Sequence, residues 1–211
     1  MVVVRGEALR EVPPEQAVFS VTVSARDKDR QTAVTRLTER SAELRSALDD
    51  YPDAIERRET GSVHIYPEVK RGGERVSAYT GSVSTTVTVT DFGALGELLL
   101  RLGNMDQTSV SGPWWRLKPG SRAGADVRKE AIADALQRAR EYADAVGARV
   151  DRLVEIVDEG AGGGGAQPVM RQMAFKGEAA DTLELDLDPQ PQTVQASVVV
   201  RVAITEPDGL G

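Results

Sequence analysis

The sequence predicts an α+β fold, in which antiparallel sheets have one wet face and are covered on the other face by two long helices and one short helix. Three stretches, "AVFSVTVS", "SVSTTVTVT" and "TVQASVVVRVAI", alternate apolar and polar residues with period two. This alternation is typical of antiparallel strands that are covered on one side only. Helical patterns lie between the strands, and the order strand, helix, strand pair occurs about twice. That order suggests an internal ββα-type duplication.

The first part of the chain is predicted to contain two helices among five strands. Helix α1 (30–49) carries its apolar residues on one stripe, and the short helix α2 (91–102) opens with Asp91 as N-cap and closes at Gly103. The stripe of α1 consists of Ala33, Leu37, Leu44, Ala47 and Leu48. The predicted strands are β1 (2–8), β2 (16–25), β3 (58–70), β4 (75–90) and β5 (107–117).

The remaining predicted elements are helix α3 (122–146) and strands β6 (149–157) and β7 (193–204). In "EAIADALQRAREYADAVGARVDRLVEI", alanine stands where the buried side of a helix ordinarily has leucine. Because alanine is small, a stripe of Ala135, Ala139 and Ala143 lets the axis of α3 approach a sheet or a neighbouring helix closely. We therefore predict that α3 is buried along this stripe and ends before Gly147.

A long segment, 158–192, separates β6 from β7, and its glycine run and prolines disfavour regular structure. We predict either a flexible loop or an arm that orders on a partner. The apolar residues Val169, Met170, Met173 and Phe175 favour an arm, whereas a solvated loop is the simpler interpretation. Residues 206–211 are predicted to form a disordered tail.

Composition excludes several classes of function. A net charge of -7, with basic residues interleaved among acidic ones, argues against a nucleic-acid partner. The chain has no cysteine and one histidine, which excludes thiol chemistry and disfavours a zinc site. No apolar run approaches the roughly 20 residues of a membrane span, and the first residues lack the features of a signal peptide. We therefore predict a cytoplasmic protein, or a periplasmic one if a signal peptide has been removed.

Two sequence features resemble catalytic or cofactor motifs but are better explained otherwise. "GAGGGG" has the spacing G-x-G-x-x-G through Gly160, Gly162 and Gly165, yet Pro168 follows where a dinucleotide site needs a helix. His64 lies mid-strand, and no G-x-S-x-G elbow accompanies it. We interpret the glycines as a tether and His64 as a surface residue on the wetter face of β3.

A third feature, "LELDLD", places Glu184, Asp186 and Asp188 on one side of an extended segment. Such oxygens could bind calcium, but the segment lacks the glycine turn and closing glutamate of an EF-hand loop. Charges that protect an edge strand explain the pattern more simply. The sequence therefore predicts no catalytic, cofactor-binding or metal-binding residue, and no cofactor.

The adjacent Trp114 and Trp115 in "SGPWWRLKPG" give the best candidate for an interface. If β5 continues through this point, one indole packs beneath the helices and the other lies on the hydroxyl-rich face. The second indole would then be covered by the long segment or by another subunit. Alternatively, Gly112 and Pro113 end the strand and both rings fold over the edge of the core.

The order of the elements resembles that of the SIMPL domain family, which is widespread in bacteria and often exported. The matching segments are "VVVRGEALREVPPEQAVFSVTVSA", "RVSAYTGSVSTTVTVTDFGALGELLLRLG", the α3–β6 segment quoted above and "QPQTVQASVVVRVAI". The resemblance implies an α+β fold, assembly of some members into rings or channel-like oligomers, links to stress response and immunogenicity, and no established enzyme activity. The chain departs from the family in lacking an export signal and in having "DPQPQ" in place of a Pro-Gly turn.

On this resemblance we predict a single SIMPL-like domain over residues 1–205 that acts as a non-enzymatic, self-associating scaffold or interaction protein. Its expected partners are further copies of the chain or another protein, without nucleic acid or a membrane span. The alternative is a small-ligand binder or enzyme whose site forms from scattered carboxylates and arginines. The residues predicted for the interface are Trp114, Trp115, Met170, Met173 and Phe175.

Overall fold

The computed structural model describes residues 1–69, 75–159 and 185–208, which contain seven strands and three helices. The α+β prediction is confirmed, because every strand pair is antiparallel and the strands form two sheets, ordered β1-β7-β6 and β3-β4-β2-β5. The suggested duplication is not confirmed.

The strands are β1 (Val2–Val12), β2 (Gln16–Asp27), β3 (Ile55–Val69), β4 (Val76–Val89), β5 (Thr108–Arg116), β6 (Val150–Asp158) and β7 (Gln192–Ile204). The helices are α1 (Arg30–Asp49), α2 (Leu95–Gly103) and α3 (Ala123–Ala145).

The described residues divide into two compact units. The three-stranded unit contains residues 1–13, 117–159 and 191–208, and the four-stranded unit contains residues 14–69, 75–116 and 185–190. Each unit has its own sheet and its own apolar core. The single domain over residues 1–205 stays a prediction.

In the four-stranded unit, α1 and α2 cover one face of the sheet. The period-two pattern of β2 sends Phe19, Val21 and Val23 into this core, where each is fully buried. The alternate residues point to the other face, which carries serine and threonine and is here called the hydroxyl face. Its central residues are Ser20, Thr22, Ser24, Ser82, Ser84 and Thr86.

The starts of the two helices show how local side chains determine helix boundaries. α1 begins where predicted, because the Asp29 carboxylate accepts a hydrogen bond from the Thr32 backbone N–H at 2.8 Å. α2 begins at Leu95, so the prediction of Asp91 as its N-cap is wrong. Asp91 instead accepts a hydrogen bond from the Gly93 backbone N–H at 3.0 Å and stabilises a turn before the helix.

In the three-stranded unit, α3 packs on one face of the sheet through its alanine stripe. Ala131, Ala135, Ala139 and Ala143 are completely buried, which confirms the predicted burial of this stripe. Gly6 of β1 lies directly beneath the helix, since a Cβ at this position would come within 2.1 Å of the Ala131 carbonyl oxygen. Small residues on both sides therefore bring α3 close to the sheet. The sheet side of this core consists of Val4, Val198, Val200 and Val202.

The predicted long segment is described only at its two ends. Asp158 is the last residue of β6, Glu159 follows it, and residues 185–190 form no helix or strand. Within the four-stranded unit, Leu187 packs against the core, and a Cβ at Gly96 would lie 2.2 Å from the Leu185 carbonyl oxygen. The predictions of a flexible loop or arm and of a disordered tail over 206–211 stay predictions.

Candidate interaction surface

Trp114 and Trp115 lie on opposite faces of the four-stranded sheet. Strand β5 continues through both residues to Arg116, so the interpretation that Gly112 and Pro113 end the strand is wrong. Trp115 packs against the core beneath the helices, and its ring centroid lies 4.9 Å from that of Phe92 in an edge-to-face arrangement. Trp114 lies on the hydroxyl face and is 37% exposed.

A bulge in β5 allows the strand to continue past Gly112. The pairing with β2 shifts register between Val18 and Ser20, so that two residues of β5 lie opposite Phe19. Gly112 has a φ of 116°, and a Cβ there would come within 3.1 Å of Phe19. Glycine is therefore required at this point, and the bulge determines which face receives each tryptophan.

Around Trp114 the neighbouring residues of β2 and β4 on the hydroxyl face are uncharged. Trp114 lies opposite Val18 in the β2–β5 ladder, and the hydroxyl oxygens of Ser20 and Ser84 are 3.0 Å apart. His64 projects from β3 on the same face, opposite Ser82, and is exposed as the alternation predicted. Trp114 is thus a large aromatic residue at the border of a polar surface, and such residues are enriched at protein contacts.

Strand β6 exposes four large apolar side chains, and the sequence analysis did not identify them as a surface. Leu153, Val154, Ile156 and Val157 are between 41% and 51% exposed. Among the described residues β6 pairs only with β7, so one edge of the strand has no neighbour. We call these four side chains the β6 surface. The signal that could have revealed it is "RLVEIVD", which is apolar on both faces of a strand.

Two bulges interrupt the pairing of β6 with β7 and bend the strand. The register with β7 shifts between Val150 and Arg152 and again between Leu153 and Glu155. Bulges bend a strand and interrupt the regular row of N–H and C=O groups that another strand would use. The β6 edge is therefore better suited to contacts through side chains than to extension of the sheet.

The β3–β4 hairpin carries a second set of exposed apolar residues, which are Val63, Ile65, Tyr66, Val69 and Val76. A polar cluster joins the hairpin to β2. The Arg26 guanidinium donates to both carboxylate oxygens of Glu68 at distances from 2.7 to 3.0 Å, and the Thr80 hydroxyl donates to the same carboxylate. The bonds from Arg26, followed by the bond from Thr80, lower the pKa of Glu68 from 4.5 to about 2.

Two open depressions lie on the described surface. One, of about 270 Å³, lies in the four-stranded unit between α1 and β3. The other, of about 420 Å³, lies in the three-stranded unit and is lined mainly by apolar residues, among them Val2, Tyr142 and Ile204. Neither holds a nucleophile paired with a general base.

Several sequence predictions concern residues outside the described part of the chain. Met170, Met173 and Phe175 lie there, so their place in an interface stays a prediction. The same holds for the glycine motif and for Glu184 of the acidic segment. Within the described residues, no group of three acidic or histidine side chains is placed to hold a metal ion. No described helix is long and apolar enough to span a membrane.

Comparison with known proteins identifies a family match over almost the whole chain. The model of the SIMPL family, described as a protein of unknown function (DUF541), matches residues 2–202. The 26 kDa periplasmic immunogenic protein of Brucella melitensis biotype 1 is 25% identical over 175 residues, and that of Brucella abortus is 24% identical over the same length. These alignments cover 74% of this chain and 65% of each relative, so the chain spans less than two thirds of the curated relatives' length.

Solved structures show only distant likeness. A hydantoinase/carbamoylase family amidase from Burkholderia ambifaria is 12% identical, with a TM-score of 0.33 over 58% of this chain and 34% of that chain. A TM-score this low does not indicate a shared fold.

Proposed function

Because the chain belongs to the SIMPL family, whose function is not known, we propose that it is a non-enzymatic interaction protein whose copies associate through the β6 surface. The exposure of Leu153, Val154, Ile156 and Val157, on a strand that among the described residues is paired at one edge only, is the observation that carries this proposal. Burying apolar surface contributes roughly 25 cal/mol per Å², so side chains exposed in this way favour association.

Among possible binding partners, a second copy of the chain fits the β6 surface best. A twofold contact brings the same surface from both copies together, so each apolar residue of β6 meets an apolar surface of equal extent. The flanking charges do not oppose this arrangement, because Glu155 already pairs with Arg201 at 3.2 Å. A stable contact needs roughly 1,000 Å² of total buried area, and β6 alone is too narrow to supply it.

We propose Trp114 as a further contact residue in the assembly. Its indole is exposed on the hydroxyl face, whereas Trp115 is held in the core and serves the stability of the four-stranded unit. Aromatic residues contribute a large share of the binding energy at protein contacts. A stress-related role, which the family resemblance implies, stays a prediction.

The proposal is tested by measuring the mass of the intact chain in solution, with light scattering coupled to size exclusion. We expect an oligomer, and we expect Ile156→Lys to lower its mass because it places a charge in the contact. Val63→Lys is the matched control, since Val63 is also exposed on an edge strand, at 57%, but belongs to the β3–β4 hairpin. A monomeric parent chain would refute the proposal, and an effect of Val63→Lys alone would move the contact to the hairpin.

We further propose a periplasmic location in place of the cytoplasmic one predicted first. The support is that both curated relatives are named periplasmic proteins. Fractionation of cells that produce the protein naturally would test this, with a cytoplasmic enzyme and a periplasmic enzyme as markers. Recovery of the chain with the cytoplasmic marker alone would contradict it.

A further inference from the structure

Helix α1 covers only part of the inner face of β3, since Ile55 packs against the core whereas Arg58 and Thr60 line an open depression. The helix packs over β2 and β4, and beside it Arg58 and Thr60 of β3 face the same side of the sheet as Val83 and Thr85 of β4. The resulting depression of about 270 Å³ is here called the α1–β3 trough. One of its walls is formed by α1 and the other by β3.

The trough contains a guanidinium group that has no partner among the described residues. Arg45 and Asp49 are four residues apart on α1, the spacing at which an arginine and an aspartate ordinarily pair. The Asp49 carboxylate instead accepts a hydrogen bond from Arg58 at 2.6 Å. Among the described residues the Arg45 guanidinium therefore has no hydrogen bond or ion pair. Its five N–H donors remain available to a ligand.

Two hydroxyl groups in the trough can also donate hydrogen bonds to a ligand. Thr60 and Thr85 are direct partners in the β3–β4 ladder, so their side chains lie next to each other on the trough side of the sheet. Neither hydroxyl bonds to another group within the part of the chain that the structure describes. Arg58 uses only one of its terminal nitrogens, Nη1, for its bonds to Asp49 and to the Arg45 carbonyl oxygen.

The rest of the trough is mixed, and its two other polar residues are already engaged: Ser41 donates a hydrogen bond to the Leu37 carbonyl oxygen at 2.7 Å, and Glu59 pairs with Arg57 at 3.2 Å. Leu44 and Leu48 of α1 and Val83 of β4 line the trough, and both leucines also belong to the core of the four-stranded unit. A ligand with a polar end and a short apolar part would therefore meet matching groups on both sides. The volume, slightly below the roughly 300 Å³ at which ordinary ligand pockets begin, limits the ligand to a small molecule.

We propose that the α1–β3 trough binds a small organic carboxylate, with its carboxylate on Arg45 and its short apolar chain against Leu44, Leu48 and Val83. Guanidinium and carboxylate groups match in geometry and form charge-assisted hydrogen bonds. Asp49 lies one turn from Arg45, so a single negative charge is favoured over the double charge of a phosphate. This site does not depend on self-association, since all its residues come from one copy.

The test uses hexanoate as the probe and the intact chain in whatever assembly state it adopts. Ligand-observed saturation-transfer NMR measures the dissociation constant, which we expect in the millimolar range for so small a molecule. Arg45→Gln should weaken binding by about tenfold, because it removes a charge-assisted hydrogen bond. Arg30→Gln is the matched control, since it removes the same charge from the same helix at its other end, and it should leave binding unchanged.

Two further probes distinguish this site from simpler kinds of binding. One is hexanol, which has no charge, and the other is inorganic phosphate, which has no apolar chain. Hexanol should bind at least tenfold more weakly than hexanoate, and inorganic phosphate should not displace hexanoate at equal concentration. Equal binding of hexanol, displacement by phosphate, or an equal loss in the Arg30 and Arg45 variants would each overturn the proposal. The melting temperature of Arg45→Gln should match that of the parent chain, because Arg45 is exposed and unpaired.

Discussion

Trp114 and Trp115 are neighbours in sequence, yet they meet different environments because successive residues of a strand point to opposite faces. The β5 bulge at Gly112 determines which of them faces the core. Trp115 contacts Phe92 edge to face, whereas Trp114 contributes its indole to the hydroxyl face. The two residues should therefore differ in what they contribute, one to folding and the other to association.

Replacing each tryptophan by serine separates these contributions. Trp115→Ser should lower the free energy of unfolding by roughly 1–3 kcal/mol, because it removes a half-buried aromatic from the core. Trp114→Ser should lower the unfolding free energy less, because Trp114 is 37% exposed, and should reduce the mass of the assembly. Urea unfolding and light scattering measure the two effects. Loss of stability in both variants at constant mass would exclude Trp114 from the interface.

Among the secondary-structure elements, α3 shows how a helix with small buried side chains determines which parts of its sheet stay exposed. The alanine stripe packs closely on β1 and β7, where Gly6 gives the helix backbone room. A helix that lies this close covers little of a third strand, and the apolar side chains of β6 remain exposed on both faces. The same alanines that stabilise the unit therefore account for the exposure of the β6 side chains on the helix side of the sheet.

Replacing one alanine of the α3 stripe with a larger residue tests the close packing of α3 on its sheet. Ala139→Leu should lower the free energy of unfolding by roughly 1–3 kcal/mol, because its larger side chain has no space between α3 and the sheet. Ala133→Leu is the control, since Ala133 is exposed on the same helix. Chemical unfolding measures both variants. An unchanged stability of Ala139→Leu would mean that the helix can shift away without cost.

The Arg26–Glu68–Thr80 cluster predicts how acid affects the β3–β4 hairpin. The pKa of Glu68 is about 2 in the folded chain, below its ordinary value of 4.5, so its contribution to stability is complete above pH 4.5 and is lost as the pH falls toward 2. Glu68→Gln should therefore be less stable than the parent chain at neutral pH, and the difference should shrink between about pH 5 and pH 2. Urea midpoints across this range measure it.

Glu43→Gln serves as the control for the acid experiment, because it removes an equal charge from the exposed side of α1 without touching the cluster. A difference between Glu68→Gln and the parent chain that stays constant with pH would contradict the assignment of the effect to ionised Glu68.

At the scale of the whole molecule, the chain passes repeatedly between the two compact units. Within the described residues it crosses between residues 13 and 14, 116 and 117, and 190 and 191. Neither unit is therefore one continuous segment, and each depends on stretches that are distant in sequence. This connectivity supports the prediction of a single domain.

A single domain predicts one cooperative unfolding transition. Calorimetry should give equal calorimetric and van't Hoff enthalpies for a variant that is monomeric. Ala139→Leu, in the three-stranded unit, and Trp115→Ser, in the four-stranded unit, should shift the same transition. Two transitions, each shifted only by the variant in its own unit, would instead establish two independent domains.

Much of the fold could be predicted from the sequence because period and cap residues act locally. The alternation in β2 identified the buried face, Asp29 marked the start of α1, and the alanines of α3 indicated close packing. The error at Asp91 has the same local origin, since an aspartate can cap a helix or stabilise a turn with the same carboxylate. The sequence alone could not distinguish these two uses.

The α+β class, the element order and the one-sided faces of the sheets follow from local sequence patterns, because each depends on which residues alternate along a single segment. Which surfaces stay open depends instead on the packing of the elements against one another. The β6 side chains on the helix side stay exposed because α3 is too narrow to cover a third strand, and Arg45 has no partner among the described residues because Arg58, from a distant strand, binds Asp49. Whether a strand is covered and whether a charged side chain is paired depend on how far one layer of the fold extends over another. No local sequence pattern encodes that distance.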